Sequence, residues 1–263
     1  MTTPQLDPLV PGSDKRRPRG IIHVHSTYSH DGKDSLEELR EFAVGHGFGF
    51  VGLTDHAEDL DARVFEAYTT QCSSLSTPTC TLIPGLEFRF SQYKGLHLLA
   101  LGLRRWIEPH TPEEFIALSG ESAAFTIVAH PVLVDYVIPP AVLDQVNALE
   151  VWNPGYNTRY LPDVSALEAL NHLSSRYPRL LAVGGVDMHD RAKFGELYLE
   201  LRSSATEPLA ALSRGDYRIV GKTMSLSARP PTPLMKLATL QWARRVFDPL
   251  NRVHGSLRRF MDR

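Results

Sequence analysis

Short apolar runs alternate with helical periodicity through most of this chain. The run Ile21-Ile22-His23-Val24-His25 reads as a buried strand, and Phe50-Val51-Gly52-Leu53-Thr54 as the next. Between them Ser35-Leu36-Glu37-Glu38 has the form of a capping box, with hydroxyl and carboxylate placed to satisfy each other's backbone N–H groups. The helix it opens carries Leu36, Leu39, Phe42 and Ala43 on one face, and Gly45 and Gly47 close it. Further strands are expected at 81–88, 96–102, 125–129, 148–152, 180–186 and 196–201. Further helices are expected at 61–75, 112–119, 140–146 and 162–176. This alternation predicts an α/β fold on a parallel sheet, either a barrel or doubly wound.

The pattern stops at both ends. Residues 1–19 hold four prolines and a basic run ending at Arg19, and read as a flexible tail without the apolar core of a secretory signal. Residues 229–233 (Arg-Pro-Pro-Thr-Pro) end the body of the chain. The stretch 226–263, which contains this break, is expected as a basic helical extension, with an amphipathic helix pair over 234–263 interrupted at Pro249. That stretch carries seven Lys or Arg and two Asp, a net +5, so with −2 overall the rest of the chain carries −7. Its apolar faces fit a helix pair packed on the body or on a second copy. They equally fit contact with another partner or an anionic membrane.

Composition narrows the class. The chain has 263 residues, 43% hydrophobic and 22% charged, enough for a sizeable core and ordinary for a globular protein. The near-neutral balance excludes a protein that coats nucleic acid generally. Two cysteines cannot build a disulfide scaffold or a four-thiolate zinc site, and are expected as buried packing. No run has the roughly 20 apolar residues that span a membrane, and a cytoplasmic location is expected. Histidine, at 11 residues, is in excess.

The excess has a direction. His23 and His25 end the first strand, two apart and so on one face. Asp55 and His56 end the second, Glu87 the third, and His97 lies in the fourth. His130 ends the fifth, Glu150 and Asn153 the sixth, and Asp187 and His189 the seventh. Imidazole and carboxylate are ligands of divalent first-row metals, and parallel barrels place their sites at C-terminal strand ends. Singly, each feature reads as well as a cap or a structural histidine. Six histidines tracking successive strand ends with acids beside them do not. His30, His46, His110, His172 and His254 have no convergent partner in this pattern.

HVHSTYSHDG at 23–32, LTDH at 53–56, GLE at 85–87, GLHLLALG at 95–102, AHP at 129–131, EVWN at 150–153 and GGVDMH at 184–189 occur in this order. Together they resemble the polymerase-and-histidinol-phosphatase (PHP) superfamily of metal-dependent phosphoesterases, over about residues 20–202. The resemblance implies a PHP-like barrel domain at 20–225, a distorted (β/α)7 barrel with a trinuclear centre at its mouth. It implies one ion on His23, His25, Glu87 and Asp187. A second would share Glu87 with His97 and His130. A third would sit on Asp31, His56 and His189, with His30 the neighbour that could compete with Asp31. The three divalent ions would be Zn, Mn or Fe.

On this reading Asp55, Asp187 and His189 are the catalytic residues, with Asp55 orienting a ligand or a proton. Glu150 and Asn153 either support ligands or close a strand end. Arg191, Lys193, Lys33 and Arg159 are the candidate phosphate-binding cations, Arg191 first. Tyr156 and Tyr160 on 153–161 are placed to stack on a base or sugar. The expected substrate is a small phosphomonoester or a nucleotide-like phosphodiester. Only about 30 residues separate His97 from His130, which leaves no room for a substrate-covering domain, and Val132 stands where some nuclease-like members carry a basic residue nearby. The alternatives are an amidohydrolase-type C–N hydrolase, which also opens with His-x-His but wants a strand-end lysine, and a non-catalytic metal-stabilised scaffold recruiting a partner through 234–263.

Overall fold

A computed structural model describes residues 17–203 and 207–246. Residues 1–16, and the part of the expected helix pair beyond 246, lie outside the described residues. The chain forms β1 (Arg19–Val24), α1 (Leu36–Gly45), β2 (Phe50–Leu53), β3 (Asp55–His56), α2 (Ala62–Leu75), β4 (Thr81–Ile83), β5 (Gly85–Arg89) and β6 (His97–Leu101). Then come α3 (Pro112–Glu121), β7 (Phe125–Ala129), α4 (Pro140–Leu143), β8 (Ala148–Trp152), α5 (Val164–Leu173) and β9 (Leu181–Gly184). The described part ends with β10 (Tyr198–Leu201), α6 (Pro208–Arg214), β11 (Tyr217–Val220), β12 (Ser225–Ser227) and a helix α7 over 234–246.

The class is mixed α/β, on two six-stranded sheets. One has the order β12-β11-β10-β1-β2-β4, the other β3-β5-β6-β7-β8-β9. Pairing is parallel for β1–β2–β4, for β3–β5 and for β7–β8–β9. The expectation of a parallel sheet throughout needs correcting in two places. β6 runs antiparallel to both β5 and β7. The link from β5 to β6 is too short to hold the crossover helix that a parallel return requires. β10, β11 and β12 add an antiparallel edge beside β1. Strand β12 carries sheet pairing across the expected boundary at 225/226, and Arg19 belongs to β1 rather than to the tail.

The sheets exchange chain at two points. β2 and β3 are separated only by Thr54, whose N–H still donates to Val24 O at 2.8 Å. β4 and β5 are separated only by Pro84, which has no N–H to continue a ladder. On the far side, residues after β9 pair with the end of β1: Val186 N donates to Ile22 O at 3.0 Å and His25 N to Met188 O at 2.9 Å.

Local chemistry explains the elements. Ser35 caps α1 with Glu38 completing the capping box, as its spacing predicts. Asp61, Thr111 and Asp163 cap α2, α3 and α5, each side chain accepting from backbone N–H groups of the first turn. Phe50, Leu53, Leu98, Leu99, Phe125, Ile127, Leu149 and Trp152 are among the fully buried side chains of the single core. Helix α7 adds Leu237 and Leu240 to that core. Leu234, Met235 and Trp242 on the same helix are exposed. No helix of the described residues is long and apolar enough to cross a membrane.

Candidate metal centre

All nine side chains expected as ligands meet at one end of the strands. Glu87, on β5 and 1% exposed, lies at the centre. Its Oε1 accepts from His97 Nδ1 at 2.6 Å and lies 3.4 Å from His130 Nε2. Its Oε2 lies 3.3 Å from both His25 Nε2 and His56 Nδ1, and 3.6 Å from His23 Nε2. Asp187 Oδ1 lies 3.4 Å from His23 Nε2 and 3.5 Å from His25 Nε2. Asp31 bridges the remaining pair, 3.4 Å from His56 and 3.3 Å from His189. His25 stacks on His189 with ring centroids 4.0 Å apart.

The backbone turns these groups inward by unusual means. Strand alternation alone is not what brings His23 and His25 together. The register of β1 against β2 slips between Ile22 and Val24, and His23 has φ +63°. His130 and Asp187 also have positive φ, 26° and 48°. Non-glycine residues adopt such angles at a cost of order 1–3 kcal/mol, and they concentrate at functional sites. β6 is reversed, so its first residue, His97, reaches the same rim as Arg89 and Ala129, its partners across the ladder.

Glu150 holds two of the ligands in place. Its Oε1 accepts from His23 Nδ1 at 2.9 Å, which turns Nε2 toward the cluster. Its Oε2 accepts from the His130 backbone N–H at 2.7 Å and from Asn153 Nδ2 at 2.9 Å. Gly185 makes room for this carboxylate: a Cβ there would sit 1.9 Å from Glu150 Oε1. Asp55 stands behind the cluster, as expected of a group that orients a ligand: its oxygens accept from Ser26 N at 2.7 Å, Ser26 Oγ at 2.9 Å and Ser29 Oγ at 2.8 Å. It acts through Ser29, whose Oγ lies 3.3 Å from His25 Nδ1 and accepts from the His56 backbone N–H at 2.9 Å.

The charges are strongly coupled. Burial opposes ionisation of Glu87, yet contacts from His130, His23, His56 and His97 hold it well below the usual carboxylate range. Burial also disfavours a charged His23, but Asp187 and then Glu150 outweigh it and raise its pKa well above the ordinary value. His25 is lowered, burial dominating. Asp187 is lowered against its burial by His23 and His25.

These donors fit divalent ions. The Nε2 atoms of His23 and His25 and the Nδ1 of His130 are buried and have no hydrogen-bond partner. Carboxylate oxygens lie 3.3–3.6 Å from the first two, close to the spacing of two ligands about 2.1 Å from one tetrahedral ion. Three sets of donors lie within 4.8 Å of one another: His23, His25 and Asp187; His23, Glu87 and His130; and His25, His56 and His189. Relative to the expected sets, His23 stands in for His97 in the second and His25 for Asp31 in the third.

The cations divide. Arg191 is a correction: it is turned away, with its guanidinium 2.9 Å from Glu38 and 3.4 Å from Asp34. Lys33, Arg159 and Lys193 line a cavity of about 390 Å³ together with Asp31, Asp187 and His189, and Lys33 pairs with Asp190 at 3.1 Å. Tyr156 packs on His130 with centroids 4.4 Å apart, and burial beside Asp187, Glu87 and Glu150 pushes its phenol up to about 12. His30 is less isolated than expected, since Asp59 accepts from its ring at 2.8 Å and its ring centroid is 5.5 Å from that of His56. The sequence reading missed Arg89, whose Nη2 lies 3.1 and 3.3 Å from the two ring nitrogens of His56. Its signal was present: Arg89 follows Glu87 by two on one strand, the same period that singled out His23 and His25.

A family model of the PHP domain matches residues 22–138. Two solved structures are similar. One is a two-domain protein containing a predicted PHP-like metal-dependent phosphoesterase from Bacteroides vulgatus ATCC 8482. It is 16% identical with a TM-score of 0.57, over 84% of this chain and 70% of the other. The second is PsfC from Pseudomonas syringae PB-5123, 18% identical with a TM-score of 0.53, over 80% and 92%. At these identities the likeness establishes the fold. No curated protein matches this chain.

Proposed function

We propose that this protein is a metal-dependent phosphoesterase that uses three divalent ions. The observation that carries this reading is the convergence of nine imidazole and carboxylate side chains, three of whose buried ring nitrogens have no hydrogen-bond partner. His23, His25, Glu87 and Asp187 would hold one ion, Glu87, His97 and His130 a second, and Asp31, His56 and His189 the third. Zn, Mn and Fe all suit such a donor set. Bound there, such ions lower the pKa of water towards neutrality and offset charge on phosphate oxygens.

The chain's own groups do the rest. Glu150 fixes the His23 tautomer, and Asp55 steadies His25 and the backbone of His56 through Ser29. Lys33, Arg159 and Lys193 give the neighbouring cavity a cationic wall for an anionic substrate. Tyr156 lies beside His130 at the mouth, placed to pack on the organic part of that substrate. The two sheets are read as one distorted seven-stranded barrel. The strand continuities at Thr54 and Pro84, and the pairing of residues 186–188 with β1, support that closure. A reducing, cytoplasmic setting belongs to the same reading and is supported by the two free, buried cysteines.

The test is metal analysis of purified protein, with a panel of phosphomonoesters and phosphodiesters assayed with Mn²⁺ and Zn²⁺ separately. About three ions per chain and turnover abolished by chelation are expected. Protein without metal, and without turnover on any ester, would overturn the reading.

A further inference from the structure

We propose that Arg89 makes this site selective for phosphomonoesters over phosphodiesters. The inference rests on the phosphoesterase reading and adds the substrate class to it. Arg89 ends β5, two residues after Glu87 and opposite His97 in the ladder. Its Nη2 lies against both ring nitrogens of His56, while its Nη1 is 3.2 Å from Glu58 at the rim. One amino group is thus tethered outside and the other directed at the ligand cluster, with the side chain 43% exposed on its open face. A side chain this exposed can be reached from solvent by an entering substrate.

Its position is distinct among the cations at the site. Arg191 is held by Asp34 and Glu38, and Lys33, Arg159 and Lys193 line the cavity beside Asp31, Asp187 and His189. Arg89 is the guanidinium in contact with a ligand histidine. A phosphomonoester carries three terminal oxygens and up to two charges. A phosphodiester carries two terminal oxygens and one charge. A guanidinium presents paired donors matched to phosphate oxygens, and charge-assisted pairs of this kind are the strong ones. Arg89 therefore has an oxygen and a charge to bind in the monoester that the diester lacks.

The experiment compares kcat/KM for 4-nitrophenyl phosphate and bis(4-nitrophenyl) phosphate in the wild type, Arg89→Met and Arg89→Lys. Arg89→Met is expected to lower the monoester-to-diester ratio at least 30-fold, mainly through KM for the monoester, and Arg89→Lys to recover part of it. Equal losses on both esters, or no change in the ratio, would overturn the proposal. Calorimetric titration with inorganic phosphate and with dimethyl phosphate gives a readout independent of turnover. If the wild type hydrolyses neither of these two esters, the wider ester panel and the metal analysis decide the phosphoesterase reading, and binding decides Arg89 alone. Selective loss of inorganic phosphate binding in Arg89→Met would uphold its role, and unchanged phosphate binding would sink it. Thermal unfolding of both variants checks that the fold is kept, as expected for a partly exposed side chain whose ion pair with Glu58 is itself exposed.

Discussion

Glu150 stands outside the nine expected ligands, yet it fixes His23 through Nδ1 and His130 through its backbone N–H. Partners of this kind are worth about 10–100-fold in metal affinity. Glu150→Ala should weaken metal binding by that factor while secondary structure persists, as read by competition with a chromogenic chelator. The cluster also sets a pH signature for the ion-free protein. Glu87 is held low, so its stabilisation is present above its ordinary value near 4.5 and is lost as pH falls through its folded value. His23 and His56 are raised, so theirs is complete below the ordinary 6.5 and is lost as pH rises through their folded values. His25 is lowered, so stability falls as pH drops below 6.5. Together these groups place the stability maximum of chelated protein near pH 6.5. Urea midpoints between pH 4 and 9 in the presence of chelator would show it. A midpoint rising steadily to pH 9 would contradict these assignments.

At the scale of elements, the loop between β1 and α1 delivers Asp31 and depends on Asp55. Three donors from Ser26 and Ser29 converge on that one carboxylate, and Gly32 packs so closely that a Cβ would lie 1.9 Å from Ser26 O. Asp55→Ala leaves buried donors unpaired, a loss of about 1–3 kcal/mol for each such group. The expected result is faster amide exchange over residues 26–32 and a loosened third ion, with the other two retained by metal analysis. Helix α7 gives a separate test. Leu240 is 3% exposed, so Leu240→Ala should cost about 2–5 kcal/mol in chemical unfolding. Trp242→Ala on the exposed face of the same helix should cost far less. The major strands and the cap of α1 were legible in the sequence, because apolar runs and the Ser35–Glu38 spacing are local signals. The short strands β11 and β12 and helix α6 were not, since each is only a few residues long and depends on pairing or packing with distant chain.

Across the whole molecule, the sheets converge their strand ends on one acidic, histidine-lined mouth, while basic residues collect in the C-terminal thirty. The ligand residues could be named from the sequence because metal chemistry restricts them to a few residue types, and strand ends repeat that choice along the chain. The sequence likewise determined the α/β class, since periodicity reports which face each segment buries. Only the tertiary structure decided how those parts act. The bulge at His23, the reversal of β6 and the positive φ at His130 and Asp187 aim the side chains, and none of these is a local preference of the residues concerned. Arg191 follows the last ligand motif in sequence, yet Asp34 and Glu38 draw it away. Arg89 drew no notice as one more surface cation, and its fold neighbours set it against His56. A residue's chemistry is written in its side chain, whereas its direction and its partners come from segments far away in the chain, and those contacts exist only once the sheets have assembled.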